Sequence, residues 1–332
     1  MKLLALPPQY FIRSQRSYKE LIMDCKKFVE EQIAFIKQTI GRENALNALS
    51  GGVDSSLVTV LGHRAIGDRL KTVFIDNALM RKDEPKRVVK TFAEMGINVE
   101  LVDAGQQFID ALAGLTDPEQ KRQAITDTFY ADVFGRLVKQ SNAKFLLHGT
   151  ILTDIEETVA GIKRQHNILE QLGIDTKAAY GYSVIEPLKT LRKDGVRSVC
   201  EFLELPPEIT HRIPFPGPAL AARIVGEVTP ERLETVRTAT AIVEEELADT
   251  GAFQYFAVLL TDRATGIRNN KRQFGQIIVV RCIESTDART ATVTPLSWEK
   301  LNRISQRITQ IEGVNRCLYD LTPKPPAAVE YI

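Results

Sequence analysis

Residues 45–63 read ALNALSGGVDSSLVTVLGH: a short apolar stretch, a glycine-containing turn and a second apolar segment. We predict a buried strand over Ala45–Leu49 and a helix over Ser55–His63. The turn between them contains Gly51 and Gly52, which let backbone amides approach an anion without a Cβ in the way. A helix that begins here adds unpaired N–H groups and the positive end of its dipole. The stretch therefore predicts a strand, a phosphate-binding loop and a helix in succession.

The predicted phosphate loop lacks the lysine of the P-loop pattern, GxxxxGK followed by Ser or Thr. Without that lysine, the loop is suited to hold the pyrophosphate part of ATP as a leaving group. Asp54 is the candidate ligand for Mg²⁺, because this cation prefers oxygen ligands. The predicted ATP-binding residues of the loop are Ser50, Gly51, Gly52, Val53, Asp54, Ser55 and Ser56. The alternative is an ordinary glycine-containing turn that caps a helix.

Outward from this loop, short apolar runs alternate with amphipathic segments. The predicted strands are Lys71–Ile75, Asn98–Val102 and Lys144–His148, and the predicted helices are Tyr18–Ile40, Glu84–Met95 and Lys121–Ser141. Strands that alternate with helices at this spacing predict an α/β fold with a doubly wound parallel sheet.

The pattern changes after residue 212. Residues 214–218 read PFPGP, which cannot continue a helix and predicts a stiff linker. Beyond it we predict helices over Pro230–Leu247 and Trp298–Glu312, and strands over Ala257–Leu260, Gln276–Cys282 and Arg316–Leu321. The prediction is a first domain over residues 1–212 and a smaller α+β domain over residues 213–332.

The overall composition excludes several classes of protein. The 332 residues include 43 Lys and Arg against 42 Asp and Glu, a formal net charge of +1. This balance argues against a protein dedicated to nucleic acid, which normally carries a basic excess. No apolar run approaches the roughly 20 residues of a membrane span, and the first residues show no signal-peptide pattern. We therefore expect a cytoplasmic protein. The four cysteines and four histidines are scattered along the sequence, so we expect neither a disulfide scaffold nor a metal site built from protein ligands alone.

Eight segments in order carry a resemblance to a known family. They are Ser50–Ser56; Phe74–Asn77 with Leu79–Arg81; Leu115–Arg122; Gly149–Thr150 with Asp154 and Glu157; Ile162–Lys163 with His166–Asn167; Glu186–Leu188 with Lys193–Asp194 and Val196–Arg197; Phe215–Pro218 with Gly226–Glu227; and Lys324–Ala327 with Glu330. The chain resembles the N-type ATP pyrophosphatases and, more narrowly, the ATP pyrophosphatase subunits of GMP synthases. The resemblance runs from about Phe28 to Glu330, and it implies an adenine nucleotide alpha hydrolase-like sheet followed by a dimerisation domain.

The resemblance also implies a ligase activity. In that family XMP is amidated to GMP through an adenylyl-XMP intermediate, with release of AMP and pyrophosphate, and the reaction uses ATP and Mg²⁺. None of the four cysteines lies in the setting of a glutaminase nucleophile, so ammonia is expected from solution or from a separate glutamine amidotransferase subunit. The expected assembly is a homodimer.

The resemblance assigns residues to three roles. The catalytic residues are Asp54, Asp154, Glu157 and Lys163; Asp76 and Asn77 join the loop in ATP binding; and Arg212, Gln254, Arg263, Arg272, Lys324 and Glu330 bind XMP. Each role has a simpler alternative. Asp76 as a helix cap is one; another is a solvated acidic turn that includes Asp154. Each arginine assigned to XMP could instead be a surface charge, and Lys193 could belong to an exposed, salt-bridged helix face.

Three positions depart from the family pattern near the expected acceptor site. Gln165 and Ile213 each stand where the family has histidine, and Ala219 stands where it has glycine. The phosphate loop itself is intact. Two alternatives to XMP amidation therefore stay open: a diverged paralogue that adenylates a different acceptor, and a non-catalytic nucleotide-binding partner subunit.

Overall fold

The computed structural model describes residues 24–159, 182–286 and 289–332, and within them five strands form one sheet. The strands are β1 (Ala45–Ala48), β2 (Leu70–Asp76), β3 (Val99–Asp103), β4 (Phe145–Leu147) and β5 (Ser183–Ile185). Their order is β3-β2-β1-β4-β5, and β1 with β4, β2 with β3, and β4 with β5 pair in parallel. The predicted parallel sheet is confirmed. Strand β5 was not predicted, because it contains only two apolar residues, whereas all three residues of the equally short β4 are apolar.

Helices accompany the strands of this sheet. They are α1 (Cys25–Ile40), α2 (Val53–Ile66), α3 (Glu84–Glu94), α4 (Gly105–Leu112), α5 (Pro118–Asp127), α6 (Gly135–Ser141), α7 (Leu152–Val159), α8 (Lys193–Phe202) and α9 (Pro207–Thr210). The predicted helical stretch over Lys121–Ser141 is confirmed, and within it a π-helical segment, Thr128–Phe134, separates α5 from α6. Thr128 and Val133, five residues apart, are both buried, as the i→i+5 hydrogen bonding of a π turn allows.

A second sheet follows towards the C-terminus. Its strands are β6 (Gln254–Arg268), β7 (Lys271–Glu284), β8 (Thr292–Val293) and β9 (Val314–Tyr319), and its helices are α10 (Pro230–Leu247) and α11 (Trp298–Ile308). β7 pairs antiparallel with β6 and β8 and parallel with β9. Strands β6 and β7 are longer than predicted, because most residues over 261–274 are exposed and polar and so lack a core pattern. The predicted α+β character of the C-terminal residues, with a second and smaller sheet, is confirmed.

The described residues divide into two compact units. One contains residues 24–47, 53–71, 143–159 and 182–211, and the other contains residues 48–52, 72–142, 212–286 and 289–332. In the first unit α1, α2 and α8 pack against one another and contribute the fully buried Ile36, Leu57 and Val196. In the second, Phe256, Val258 and Val279 form a buried cluster. The predicted domain boundary at residue 212 stays a prediction.

The PFPGP segment is packed within the second unit. The Phe215 ring lies between two guanidinium groups, 4.6 Å from that of Arg81 and 4.9 Å from that of Arg223. The Pro214 carbonyl accepts a hydrogen bond from Gln254 Nε2 at 3.2 Å. The segment predicted as a stiff linker is therefore packed against other residues of this unit.

The alanine that follows PFPGP has a strained backbone. Ala219 has a φ of 54°, in the left-handed region that favours glycine. Because a Cβ in this region costs roughly 1–2 kcal/mol, we expect Ala219→Gly to raise the free energy of unfolding by up to about 1 kcal/mol in urea denaturation. The control Ala222→Gly, in the same 3₁₀ helix (Ala219–Arg223), should lower it by roughly 0.5–1 kcal/mol. Equal losses for both variants would contradict the strain assignment.

Candidate active site

The loop after β1 adopts a conformation that requires glycine. The Gly52 N–H donates to Ser50 Oγ at 3.3 Å, and Gly51 has a φ of +73°. A Cβ on Gly51 would lie 2.8 Å from Arg212 Nη1 and 3.0 Å from Val88 Cγ2. The loop backbone is thus pressed against neighbouring side chains, and only glycine fits there.

Arg212 supports this loop from within the same unit. Its Nη1 donates to the Ser50 carbonyl at 3.3 Å, and its Nη2 forms an ion pair with Glu84. Burial lowers the pKa of Arg212 to about 10 although Glu84 raises it, so the side chain stays charged at neutral pH. Arg212 was predicted to bind XMP, and the structure places it against the glycine-containing loop; the XMP assignment stays a prediction.

Glu84 joins Arg212 to a larger buried ion-pair cluster. Arg81 Nη2 lies 3.1 Å from Glu84 Oε1, and Arg81 Nη1 lies 2.9 Å from Glu244 Oε1. The Glu84 side chain is only 5% exposed. Burial by itself would raise the pKa of Glu84, but the charges of Arg212 and Arg81 outweigh it and hold that pKa below its usual value.

Asp54 lies in the first turn of α2, and its two carboxylate oxygens have different surroundings. Its Oδ2 lies 2.5 Å from Lys193 Nζ, at the start of α8. Its Oδ1 is buried and has no hydrogen-bond partner among the described residues. Burial raises the pKa of Asp54, Lys193 opposes this shift, and the charge of Asp154 adds to it. Lys193 therefore pairs with the predicted catalytic aspartate rather than with a neighbour on its own helix.

Asp154 lies at the start of α7, in the same unit as Asp54. Its Oδ2 accepts the Ile151 N–H at 3.0 Å. The loop before α7 passes close to α2, since a Cβ on Gly149 would lie 3.2 Å from the Ser55 nitrogen and 3.3 Å from the Asp54 carbonyl carbon. Glu157 belongs to α7, but its side chain lies outside the described residues, as do Lys163 and Gln165. The structure thus brings Asp54, Asp154 and Lys193 together.

The other predicted ATP-binding residues are either buried or hydrogen-bonded to the neighbouring backbone. Val53 is buried, and the fully buried Ser56 hydroxyl has no hydrogen-bond partner among the described residues. Asp76 Oδ1 accepts the Ala78 N–H at 3.0 Å and Asn77 Oδ1 accepts the Leu79 N–H at 2.9 Å. Asp76 therefore supports the turn after β2 and does not cap a helix. The ATP-binding roles of these residues stay predictions.

Two of the predicted XMP residues meet in the second unit. Gln254 Nε2 donates to Glu330 Oε1 at 2.7 Å. Arg223, which is fully buried, donates to both oxygens of Glu330 at 3.2 Å. The Lys324 backbone pairs with that of Ala291 in both directions, at 2.8 and 3.0 Å. The C-terminal residues are therefore held in place by hydrogen bonds.

Arg263 and Arg272 lie elsewhere, on the outer part of the β6–β7 hairpin. Arg263 lies nine residues along β6 from Gln254, about 30 Å at the usual rise of a strand. Arg272 pairs with Ile267, still farther along the hairpin. Arg263 donates to the Phe274 carbonyl at 2.9 Å, and the Arg272 guanidinium lies 5.7 Å from the Phe274 ring. Within one chain, Arg263 and Arg272 therefore lie far from Gln254 and do not share a site with it.

Comparisons with known proteins decide the family. One family model, NAD synthase, matches residues 22–217, and another, GMP synthase C terminal domain, matches residues 241–331. The subunit designated B of the glutamine-hydrolyzing GMP synthase from Archaeoglobus fulgidus is 49% identical over 310 residues, covering 93% of this chain and 100% of that protein. The corresponding subunits from Methanopyrus kandleri and Pyrococcus horikoshii are 46% and 47% identical, with the same coverage. The chain belongs to this family of GMP synthase subunits.

This membership confirms the resemblance and the ligase class predicted from the eight segments. Among solved structures, an NH3-dependent NAD synthetase from Campylobacter jejuni is 16% identical, with a TM-score of 0.45, and covers 69% of this chain and 88% of its own. Among the described residues, no helix is both long and apolar enough to cross a membrane.

The GMP synthase family uses ATP, and the predicted metal is Mg²⁺ with Asp54 as its ligand. Within the described ranges, no group of three or more His, Cys, Asp or Glu side chains is placed to hold a metal ion. Mg²⁺ in nucleotide enzymes, however, is usually held by one or two carboxylates together with substrate phosphates. The buried, unpaired Asp54 Oδ1 fits that role, because it is an oxygen that lacks the partner its burial demands.

Several residues at the site were missed or undervalued by sequence reasoning. Lys193 was interpreted only as part of an exposed helix face, and Glu84 and Arg223 were not predicted to be site residues. Glu84 and Arg212 are 128 residues apart, and Lys193 and Asp54 are 139 apart. No local spacing pattern signals pairs at such separations.

Proposed function

We propose that this chain catalyses the ATP-dependent amidation of XMP to GMP through an adenylyl-XMP intermediate, with release of AMP and pyrophosphate. The observation that supports this most is the Asp54 carboxylate, which follows the glycine-containing loop and has a buried, unpaired oxygen. The relatives, which are named as subunits of GMP synthases, support GMP as the product, and XMP as the substrate follows from the resemblance of the eight sequence segments.

The chemistry needs two displacements. The C2 oxygen of XMP attacks the α-phosphorus of ATP, and the bond from that phosphorus to the bridging oxygen breaks, so that pyrophosphate leaves. Backbone N–H groups at the start of α2 stabilise the charge that grows on the pyrophosphate. Asp54 and Asp154 would hold Mg²⁺, which when bound neutralises phosphate charge. Ammonia then attacks C2, AMP leaves with the former C2 oxygen, and one proton is released.

The direct test is an assay of pyrophosphate release from ATP with Mg²⁺ and ammonium. It is run with XMP, with other purine nucleotides, and with no acceptor, and GMP is measured by chromatography. We expect release that depends on XMP and matches GMP formation. Release only with another acceptor would identify a diverged paralogue, and no release with any acceptor would identify a non-catalytic nucleotide-binding subunit.

The relatives' names also point to a partner. Because each is named as one lettered subunit of a glutamine-hydrolyzing enzyme, a separate glutamine amidotransferase subunit is implied, and we propose such a subunit as the ammonia source. We expect ammonium to support the reaction of the isolated chain, whereas glutamine should do so only after that subunit is added. The cytoplasmic location stays a prediction.

We also propose that the chain forms a homodimer through the outer β6–β7 hairpin, residues 261–275. Two large apolar side chains are exposed there: Ile267 is 80% exposed and Phe274 is 61% exposed. We expect wild type to be a dimer in light scattering, and Ile267→Asp with Phe274→Asp to be a folded monomer. The control Leu101→Asp, an exposed apolar residue on β3, should stay dimeric. A dimeric hairpin variant would contradict this interface.

A further inference from the structure

A buried hydrogen-bond chain follows the ends of the neighbouring strands β4 and β5. His148 and Thr150 come after β4, and Glu186 comes directly after β5. The Thr150 hydroxyl donates to Glu186 Oε1 at 2.6 Å, and His148 Nδ1 lies 2.8 Å from the same hydroxyl oxygen. The Thr150 and Glu186 side chains are both buried. None of these three residues has a role in the mechanism above.

The direction of the hydrogen bonds follows from a proton count. A threonine hydroxyl has one proton, and here it is given to Glu186. His148 Nδ1 must therefore donate to Thr150, which fixes the imidazole tautomer with the proton on Nδ1. Burial lowers the pKa of His148, although Glu186 and Asp154 oppose this, so the ring is neutral at physiological pH. Both hydrogen bonds of Thr150 thus have one donor and one acceptor.

The hydrogen bonds hold the strand-to-helix loop from both sides of Gly149. This is the glycine whose Cβ would come within 3.2 Å of the Ser55 nitrogen. One residue beyond Thr150, the Ile151 N–H donates to Asp154 Oδ2 at 3.0 Å. The segment that Thr150 anchors therefore touches the start of α2 on one side and orients the Asp154 carboxylate on the other.

We propose that Thr150, held by Glu186, is a positioning residue for Mg²⁺–ATP: it sets the loop so that the Asp54 and Asp154 carboxylates face the same cation and phosphate group. This inference rests on the proposed function and deepens it. A purely structural role is the alternative, because buried hydrogen bonds also stabilise a fold.

Thr150→Val tests the proposal, because it removes the hydroxyl and keeps the shape of the side chain. We expect the KM for Mg²⁺–ATP to rise about tenfold, in the range seen when residues that orient metal ligands are changed. The kcat at saturating ATP should change by less than about twofold. Thr150→Ser restores the hydroxyl and should return the KM to near the wild-type value.

Thr210→Val is the matched control. Thr210 lies in the same unit, is 2% exposed like Thr150, and donates its hydroxyl to the Leu205 carbonyl at 3.3 Å. The control should lower the thermal midpoint and leave the KM for Mg²⁺–ATP unchanged. If Thr150→Val behaves in the same way, its role is structural and the proposal is overturned.

Calorimetric titration with the Mg²⁺ complex of α,β-methylene-ATP tests the proposed function and the positioning role of Thr150 separately. This analogue cannot be cleaved between its α and β phosphates, so no acceptor or ammonia is needed. Wild type that fails to bind it would contradict the proposed function. Wild type and Thr150→Val that bind it equally would overturn only the positioning role, whereas binding about tenfold weaker in the variant supports it.

Discussion

Asp54→Asn is expected to lower XMP-dependent pyrophosphate release by roughly a thousandfold, the scale of removing one main source of charge stabilisation at a reacting centre. The substitution keeps the size of the side chain and removes the charge that we assign to Mg²⁺ binding. Asp68→Asn is the control, since Asp68 is exposed just after the other end of α2. Its activity should equal that of wild type. Full activity of Asp54→Asn would remove the phosphate loop from the proposed mechanism.

The same variant should be at least as stable as wild type. Burial raises the pKa of Asp54 above its usual value. A carboxylate with a raised pKa opposes folding once the pH exceeds its pKa in the unfolded chain, and this cost is relieved as the pH falls. Asparagine carries no charge, so the thermal midpoint at neutral pH should be unchanged or higher. Loss of activity together with loss of folding would contradict this assignment.

Glu84→Gln is expected to lower the free energy of unfolding by about 3–5 kcal/mol, the usual loss when one member of a buried ion pair is removed. The variant leaves the mostly buried guanidinium groups of Arg81 and Arg212 without their shared carboxylate. Urea denaturation followed by circular dichroism measures the loss. The control is Glu94→Gln on the same helix, where an exposed pair with Lys90 should contribute less than about 0.5 kcal/mol.

The stability difference between wild type and Glu84→Gln should depend on pH. The pKa of Glu84 lies below its usual value, because Arg212 and Arg81 outweigh the effect of burial. Such a carboxylate contributes stability above its unfolded pKa of about 4.3, and this contribution is lost as the pH falls through its folded pKa. We therefore expect the difference to shrink below about pH 4. A difference that stays constant down to pH 2 would show that Glu84 acts through packing rather than charge.

The parts of the fold that could be predicted are those determined by residues close together in the sequence. The bounds of α10 match the prediction, because Pro230 begins it and a long amphipathic pattern follows. By contrast, Thr128–Phe134 was predicted as ordinary helix, since a π turn has no distinct composition. The outer halves of β6 and β7 were missed because they carry no core pattern.

At the site, the sequence by itself determined the glycine-containing loop between a strand and a helix, the parallel sheet that carries it and membership of the GMP synthase subunit family. These depend on neighbouring residues and on the order of motifs, which the linear sequence contains. Only the tertiary structure decided that Arg212 supports the loop, that Lys193 pairs with Asp54, and that Thr150 links Glu186 to His148. The first two contacts join residues more than a hundred positions apart, so they form only once the fold has brought those distant segments together.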